Sequence, residues 1–293
     1  MRLRRLFPLV VVLLAPKSIE AGESQIVSPG KVYGWGDNSF RQSAPPDNLT
    51  NAVQVSGSDE FSLALRDTFV VTTLPGDSRI SENALSAARA VAAGWQTAVS
   101  IRPDGNINGS SYADPDYHPF PMWSPTPRTV GLTMGGVITL AVQEDGTVAT
   151  GGTEVLPGDV SPLPGVSNIV AVSGIGSHFL LLDKFGKVRE IDANYGVIND
   201  APESGPFKGI AAGLQHALAL RENGTVLAWG RNDYGQGNLP VGLTNVIAIT
   251  AGGLFSAALK SDGKIVFWGL NDHGEFNAPA GVSFKAIAAG PHH

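Results

Sequence analysis

Short stretches of alternating apolar and polar residues recur along residues 209–279, and the whole arrangement occurs there twice. Each copy holds a run of small apolar residues, an alternating segment, a glycine turn and a second segment that ends in Trp-Gly. The turns read Asn223-Gly224 and Asp262-Gly263. Such a pair between two alternating segments is a strong β-hairpin signal, and it predicts a two-residue turn with positive φ at both central positions.

The same pattern extends over most of the chain with a period near 39 residues. Leu220 and Leu259 are 39 residues apart, and the equivalent position recurs upstream at spacings of 36 to 41 residues. These upstream equivalents are Leu65, Ile101, Val142 and Leu182. A period in this range is typical of repeat architectures in which each repeat is one supersecondary unit. The sequence therefore predicts six complete units of short antiparallel strands.

The two ends of the chain together supply a seventh unit. Residues 284–293 begin a repeat that stops early, while Ile26, Gly30 and Trp35 match the leucine, glycine and tryptophan of the later part of a repeat. A last repeat that is finished by the first strand indicates a closed ring, and closure removes exposed sheet edges. We therefore predict an all-β fold, a seven-bladed β-propeller whose last blade is closed by N- and C-terminal strands.

Residues 211–236 follow the pattern AAGxxHxLALxxxGxVxxWGxNxxGQ. This pattern resembles the repeat of the regulator-of-chromosome-condensation propellers, and the resemblance spans about residues 24–293. The short links between repeats are similar to those of the compact bacterial branch, which includes secreted propeller-type β-lactamase inhibitors. Fold does not fix function, because propellers host unrelated activities.

The resemblance to those inhibitors stops at one position of the repeat. The inhibitor pattern implies an aromatic residue two places after the blade glycine in each repeat. This chain instead carries non-aromatic or imidazole side chains there, namely Glu60, Gln96, Val137, Ser177, Gln215, Leu254 and His292. We therefore do not expect β-lactamase inhibition.

The first 21 residues are predicted to be a signal peptide. Residues 1–5 are basic, residues 6–15 are apolar, and Ala21 offers a small residue for cleavage. An uncleaved membrane anchor is the alternative, although about ten apolar residues are too few to span a bilayer. We expect a secreted or periplasmic protein with no membrane span after leader cleavage. Residues 22–293 would then form a single propeller domain of repeats of about 39 residues.

Composition narrows the possible partners and chemistry. The predicted leader carries four of the 20 basic residues and one of the 26 acidic residues, so the remainder has a net charge near −9. An acidic surface repels phosphate backbones, and we therefore expect no nucleic-acid partner. The sequence has no cysteine, which excludes disulfides and thiolate ligands or nucleophiles.

Aromatic and imidazole rings recur just where the alternating segment of a repeat begins. They are Phe61, His178, His216 and Phe255, and Trp95 lies near the same place in another repeat. Two interpretations remain open for these rings. They pack against or hydrogen-bond a neighbouring turn, or they line the rim of the central opening and contact a partner.

Residues 111–127 form a second candidate site, in which a proline-rich segment replaces the usual polar link. Its candidate partner-binding residues are Tyr112, Tyr117, His118, Phe120 and Trp123. Rings held on a proline-stiffened segment suit binding, because they supply contact area at a small entropy cost. The segment could instead pack over a blade edge. Asp114, Asp116 and His118 could also ligate a metal, but three ligands in one loop are weak support, and we expect no metal site.

No motif for catalysis stands out. The sequence lacks a GxSxG elbow and a phosphate-binding glycine loop, so we expect no catalytic residues, no cofactor and no enzymatic activity. The leading hypothesis is a secreted, monomeric, non-enzymatic scaffold that binds an extracellular or periplasmic protein across one face of the ring, in an inhibitor-like role. One alternative is a guanine-nucleotide exchange factor-like regulator of a small GTPase. Another is a propeller enzyme, a lyase or glycosidase, acting at the central funnel.

Overall fold

The structure is a computed structural model that describes residues 30–74, 80, 82–111, 127–136, 138–152, 161–163, 165–192, 197–200 and 205–293. The predicted signal peptide, residues 1–21, lies outside the described residues. The described part of the chain holds twenty β-strands and no helix, and hence no helix able to cross a membrane. The all-β prediction is thereby confirmed.

The strands form six antiparallel sheets, which we number in chain order. Sheet 1 holds β1 (Ala52–Gly57), β2 (Ser62–Arg66) and β3 (Val71–Leu74), and sheet 2 holds β4 (Ala90–Ala93), β5 (Thr97–Ile101) and β6 (Ile107–Ser111). Sheet 3 holds β7 (Thr129–Gly135), β8 (Ile138–Gln143), β9 (Val148–Gly152) and β10 (Ser161–Pro162). Sheet 4 holds β11 (Ile169–Ile175), β12 (His178–Asp183), β13 (Val188–Asp192) and β14 (Val197–Asp200). Sheet 5 holds β15 (Phe207–Ala212), β16 (His216–Arg221) and β17 (Val226–Gly230), and sheet 6 holds β18 (Val246–Ala251), β19 (Phe255–Lys260) and β20 (Ile265–Gly269).

Each sheet is a meander whose second and third strands form the predicted hairpin, but the predicted turn type is wrong. In sheet 5 the Gly224 N–H donates to Arg221 O at 3.0 Å, and the Arg221 N–H donates to Thr225 O at 2.9 Å. Of the loop residues 222–224, only Gly224 has a positive φ, +80°. This is a three-residue loop that ends in a left-handed glycine, rather than a two-residue turn. Asn223 instead accepts a hydrogen bond from the Thr225 N–H through its side-chain oxygen, at 3.0 Å.

The sheets follow one another around an axis, and their first strands are adjacent to each other. Between successive sheets lies a separate apolar cluster, so the core is a series of blade-to-blade interfaces. Phe179 and Leu140, for example, come from sheets 4 and 3 and are both fully buried in the same cluster. This arrangement buries both faces of each sheet, which is why the second strands are buried along almost their whole length and are rich in apolar residues.

The N- and C-terminal segments meet at the remaining position of the ring, as the closed-ring prediction requires. The Trp35 ring lies against Phe284, with centroids 5.5 Å apart, and the Asp37 N–H donates to His292 O at 2.8 Å. One apolar cluster joins this segment to sheet 6, and another joins Val32 to sheet 1. No seventh sheet forms among the described residues, so the count of seven blades stays a prediction that these junction contacts support.

The closing position repeats the hydrogen bonds of an ordinary blade. In sheet 5 the Arg231 N–H donates to Gln215 O at 2.8 Å, the same distance as the bond from Asp37 to His292. The Trp268 Nε1–H donates to Gln236 O at 2.8 Å, and the Trp35 Nε1–H donates to Glu275 O at the same distance. The N-terminal segment therefore occupies the place of a third strand in the terminal unit.

Candidate functional site

One face of the ring is formed by the turns that connect the first strand of each unit to the second. The turns begin at equivalent positions, namely Ser58, Gly94, Gly135, Ile175, Gly213, Gly252 and Gly290. Links 37–42, 231–236 and 270–275 lie beside them, because the first N–H of each of these links bonds a turn carbonyl. We call these seven turns with their three links the turn face.

Neighbouring turns touch through their backbones. The Trp95 N–H donates to Gly136 O at 2.9 Å, and the Gly253 N–H donates to Pro291 O at 2.8 Å. A Cβ atom added at Gly94 would lie 2.4 Å from Gly136 O, so only glycine allows this approach. The last turn meets the first in the same way, since a Cβ atom at Gly290 would lie 2.8 Å from Ser58 O. Close backbone contacts between neighbouring turns therefore recur along the turn face.

Trp95 stands out from this face. Its side chain is 53% exposed, and the equivalent position in the next two turns is glycine, at Gly136 and Gly176. Other large exposed apolar or aromatic side chains on the turn face are Phe40, Leu214 and Tyr234. Since the backbone under Trp95 is fixed by its bond to Gly136, the indole is presented on a rigid support.

The predicted ring residues other than Trp95 lie beneath this face. Phe61 and Phe255 are buried within the apolar clusters or beside them, and His178 and His216 are buried as well. The Phe255 ring packs on the glycine of its own turn, where a Cβ at Gly252 would lie 2.1 Å from it. These four side chains therefore add almost no accessible area to the turn face.

His216 links sheet 5 to sheet 6. Its Nε2 lies 2.9 Å from Ser256 Oγ, and that hydroxyl donates to Gln236 O at 2.9 Å. The hydroxyl proton is thus committed to Gln236, so His216 donates from Nε2 as a neutral imidazole. Burial, reinforced by the charge on His178, lowers the pKa of His216 to about 4.

His178 occupies the equivalent position in sheet 4 but is charged, whereas His216 is neutral. Its Nδ1 lies 2.6 Å from Gly213 O and its Nε2 lies 2.9 Å from Glu190 Oε1. Two acceptors require two N–H donors, so the ring is an imidazolium paired with a carboxylate. Burial opposes this charge, but the bonds to Glu190 and Gly213 raise the pKa of His178 overall. The same pairing, with a bond from Trp229 Nε1, lowers the pKa of Glu190 despite burial.

The predicted aromatic residues Tyr112, Tyr117, His118, Phe120 and Trp123 lie outside the described residues. Ser111, the last residue described before them, ends the third strand of sheet 2. Third strands end at the turn face, so the chain leaves the described structure on the same side as Trp95. The role of these five predicted residues in binding stays a prediction.

Sequence reasoning missed three side chains of the turn face that come close together. One ligand-capable atom from each of His273, Glu275 and His292 lies within 4.8 Å of the other two. His273 and Glu275 belong to the link after sheet 6, and His292 belongs to the last turn. Comparing the links NSFRQ, NDYGQ and NDHGE side by side would have shown that only the third carries an imidazole and a carboxylate.

Six antiparallel sheets arranged about an axis, with the terminal segments joined at the remaining position, define a β-propeller. Comparison with known proteins agrees with this class. The Regulator of chromosome condensation (RCC1) repeat matches residues 207–236 and 246–275. The predicted resemblance to the RCC1-repeat propellers is therefore confirmed. The sequence matches none of the curated proteins with which it was compared.

Several solved structures share the fold at low sequence identity. Prp20p from Saccharomyces cerevisiae is 15% identical, with 91% of this chain and 90% of that chain covered and a TM-score of 0.70. Human WBSCR16 is 16% identical, with 91% and 92% covered and a TM-score of 0.61. The CRINKLY WD40 ectodomain of the Arabidopsis thaliana receptor kinase ACR4 is 17% identical, with 80% and 86% covered and a TM-score of 0.59. At identities of 15–17%, these similarities show that the fold is shared and do not extend to function.

Proposed function

We propose that this chain is an extracytoplasmic, non-enzymatic propeller scaffold that binds a protein partner on the turn face. The observation that carries the proposal is Trp95, a large aromatic side chain that is 53% exposed on a rigid part of the turn face with glycines at the next two turns. More specifically, we propose that the scaffold acts as an inhibitor and covers the surface of an enzyme outside the cytoplasm. The predicted leader, residues 1–21, supports the location.

The energetics of protein interfaces favour Trp95 as an anchor. A tryptophan can bury roughly 150–250 Å² and is among the residues most enriched at interface hot spots. Because the Trp95 N–H is bonded to Gly136 O at 2.9 Å, little backbone freedom would be lost when the indole is covered. Leu214, on a turn of the same face, offers a second apolar contact that a partner spanning several blades would reach.

The structural relatives support a binding role for this fold. Prp20p is known for its binding properties to Gsp1p and histones, and the ACR4 propeller is a receptor ectodomain. The first is an RCC1-type propeller that binds proteins, and the second is a related propeller from the ectodomain of a receptor. We extend both features to this chain as part of the proposal.

The test is partner capture with matched surface variants. Tagged protein is used to recover extracellular or periplasmic partners, and wild type is compared with Trp95→Ala. Phe185→Ala is the control, because Phe185 is 69% exposed at a hairpin turn on the opposite face. We expect Trp95→Ala to reduce recovery at least tenfold, since hot-spot truncations cost about 2 kcal/mol or more, while Phe185→Ala leaves it unchanged. Equal recovery by Trp95→Ala and wild type would refute the turn-face proposal.

A further variant separates Trp95 from the aromatic segment. Tyr117→Ala/Trp123→Ala removes two of the predicted binding residues that follow sheet 2. Loss of recovery in this variant as well would extend the binding surface to that segment. Unchanged recovery would restrict the binding surface to the turn face.

Guanine-nucleotide exchange is the second candidate, and the similarity to Prp20p over 91% of this chain favours it. The two candidates differ in location and in activity. Mass determination of the mature N-terminus and release of labelled guanine nucleotide from small GTPases distinguish them. The exchange-factor proposal would be supported, and the extracytoplasmic scaffold refuted, by two results together. The protein would be cytosolic with residues 1–21 intact, and it would accelerate nucleotide release.

A further inference from the structure

Two imidazoles and a carboxylate meet at the edge of the turn face, where the chain closes on itself. One possible ligand atom from each of His273, Glu275 and His292 lies within 4.8 Å of the other two, and the two imidazole centroids are 5.2 Å apart. His273 is exposed and His292 is half-buried, so neither ring is enclosed by the core. Glu275 is only 2% exposed.

The buried carboxylate is the unusual member of this group. Gln42 and Gln236 occupy the equivalent buried position in two other links, and each accepts a backbone N–H through its side-chain oxygen. Glu275 keeps that bond, with Oε2 accepting from the His273 N–H at 3.0 Å. A carboxyl group thus replaces a neutral amide at a buried site, where a charged group is costly unless a cation compensates it. Among the described residues, only His273 lies within ion-pair distance, 3.5 Å from Nδ1 to Oε1.

The surrounding charges also favour a cation. Asp272 Oδ1 lies 2.8 Å from His273 Nδ1, and the charge of Asp37 acts on the same imidazole. Asp59 interacts electrostatically with His292. Four carboxylates around two imidazoles therefore create a negative field that a divalent ion would neutralise.

The donor types indicate which ions fit. Imidazole nitrogens suit zinc, copper and nickel, and two histidines with one glutamate form a recognised zinc ligand set with bonds of about 2.0–2.2 Å. Ligand atoms in a tetrahedral site with such bonds are about 3.3–3.6 Å apart. The present separations, up to 4.8 Å, exceed this range, so metal binding requires rotation of the His273 and His292 side chains.

We propose that His273, Glu275 and His292 bind one divalent transition-metal ion, with zinc as the best fit. Two of these residues, Glu275 and His292, also hold the N-terminal segment through their backbones. Glu275 O accepts the Trp35 Nε1–H at 2.8 Å, and His292 O accepts the Asp37 N–H at 2.8 Å. An ion bound by their side chains ties the last link to the last turn at the point where the ring closes. Metal binding therefore stabilises ring closure.

The experiment uses the full chain with an affinity tag that contains no histidine. Zinc binding is measured by calorimetry, and Tm is measured with zinc and with chelator. We expect wild type to bind one zinc ion with micromolar or tighter Kd and to gain several degrees in Tm. His273→Asn/His292→Gln is expected to weaken binding at least 100-fold and to lose the gain in Tm. The single variant His273→Asn changes an exposed side chain and gives the same test if the double variant folds poorly.

Two matched variants test whether zinc binds elsewhere on the chain. Tyr234→Ala changes the position equivalent to His273 in the preceding link and should leave zinc binding unchanged. His118→Asn removes the imidazole of the other possible metal-binding segment and should also have no effect. The proposal is overturned if wild type binds no zinc, or if His273→Asn binds it as tightly as wild type does.

Discussion

His216→Phe should remove a defined part of the acid sensitivity of this protein. Phenylalanine occupies the equivalent position at Phe61 and Phe255, where each ring is buried. The substitution therefore keeps a planar ring in the same place but removes the titratable nitrogens. It also removes the bond between His216 Nε2 and Ser256 Oγ, a net loss of roughly 0.5–1.5 kcal/mol.

The magnitude follows from the shifted pKa. The pKa of His216 falls from 6.5 to about 4 in the folded protein, and each unit corresponds to about 1.4 kcal/mol. Between those two values the unfolded chain binds a proton that folded His216 does not, so the free energy of unfolding falls as pH is lowered. The contribution of neutral His216 to the free energy of unfolding is fully present above about pH 6.5. About 3 kcal/mol of this contribution is lost by about pH 4.

The assay is urea unfolding of wild type and His216→Phe at intervals from pH 4 to pH 8. Taking the difference between the two proteins cancels the titration of groups that they share. Near pH 7 the variant should be less stable by about 1 kcal/mol or equal to wild type. Near pH 4 it should be the more stable protein, by about 2 kcal/mol. Two curves that stay parallel across this range would refute the assignment of a neutral, buried His216.

Two further substitutions test the packing of the turn face and the charge pair beneath it. His178→Gln leaves Glu190 buried without its imidazolium and should lower the free energy of unfolding by about 3–5 kcal/mol at pH 6, measured by urea unfolding. Because the pKa of His178 is raised, its contribution is present at low pH and lost as pH rises through that pKa, so the loss should shrink in alkali. A pH-independent loss would contradict the ion pair. Gly94→Ala places a Cβ 2.4 Å from Gly136 O and should lower Tm by several degrees, whereas Gly131→Ala, with 3.8 Å of clearance, should not. Equal Tm values for the two alanine variants would argue against contact between the turns.

The repeat pattern was sufficient to predict the hairpins because it records a backbone requirement. Glycine recurs where the loop needs a left-handed residue, as at Gly224 and Gly263, each with φ of +80°. The turn type was not predictable from the same residues. Asn-Gly suits a two-residue turn as well as a three-residue loop, and the pairing of Leu220 with Val226 decides for the longer one.

The roles of the recurring rings depended on neighbours in the next sheet. His216 faces Ser256, which follows Phe255, whereas the equivalent neighbour of His178 is Ala217, which offers no hydroxyl. His178 consequently bonds the backbone at Gly213 and pairs with Glu190 of its own sheet. A pattern within one repeat does not contain this information, because the deciding side chain lies in the following repeat.

The candidate site was only partly visible in the sequence. Trp95 was recognised as an aromatic residue near the recurring position, but its exposure depends on the glycines at the two following turns. His273 and His292 lie 19 residues apart and come together because the link after sheet 6 folds beside the last turn. That proximity is a property of the closed ring and not of either segment.

Joining the two ends of the chain by an engineered disulfide tests ring closure most directly. The chain has no cysteine of its own, so Asp37→Cys/His292→Cys introduces a single possible pair, at positions where N and O are 2.8 Å apart. Gln215→Cys/Arg231→Cys is the matched control within sheet 5, where the same bond is also 2.8 Å long. After mild oxidation, peptide mapping should find an intramolecular disulfide in both proteins. A disulfide in the control alone, or one that joins only separate molecules in the terminal pair, would contradict the closed ring.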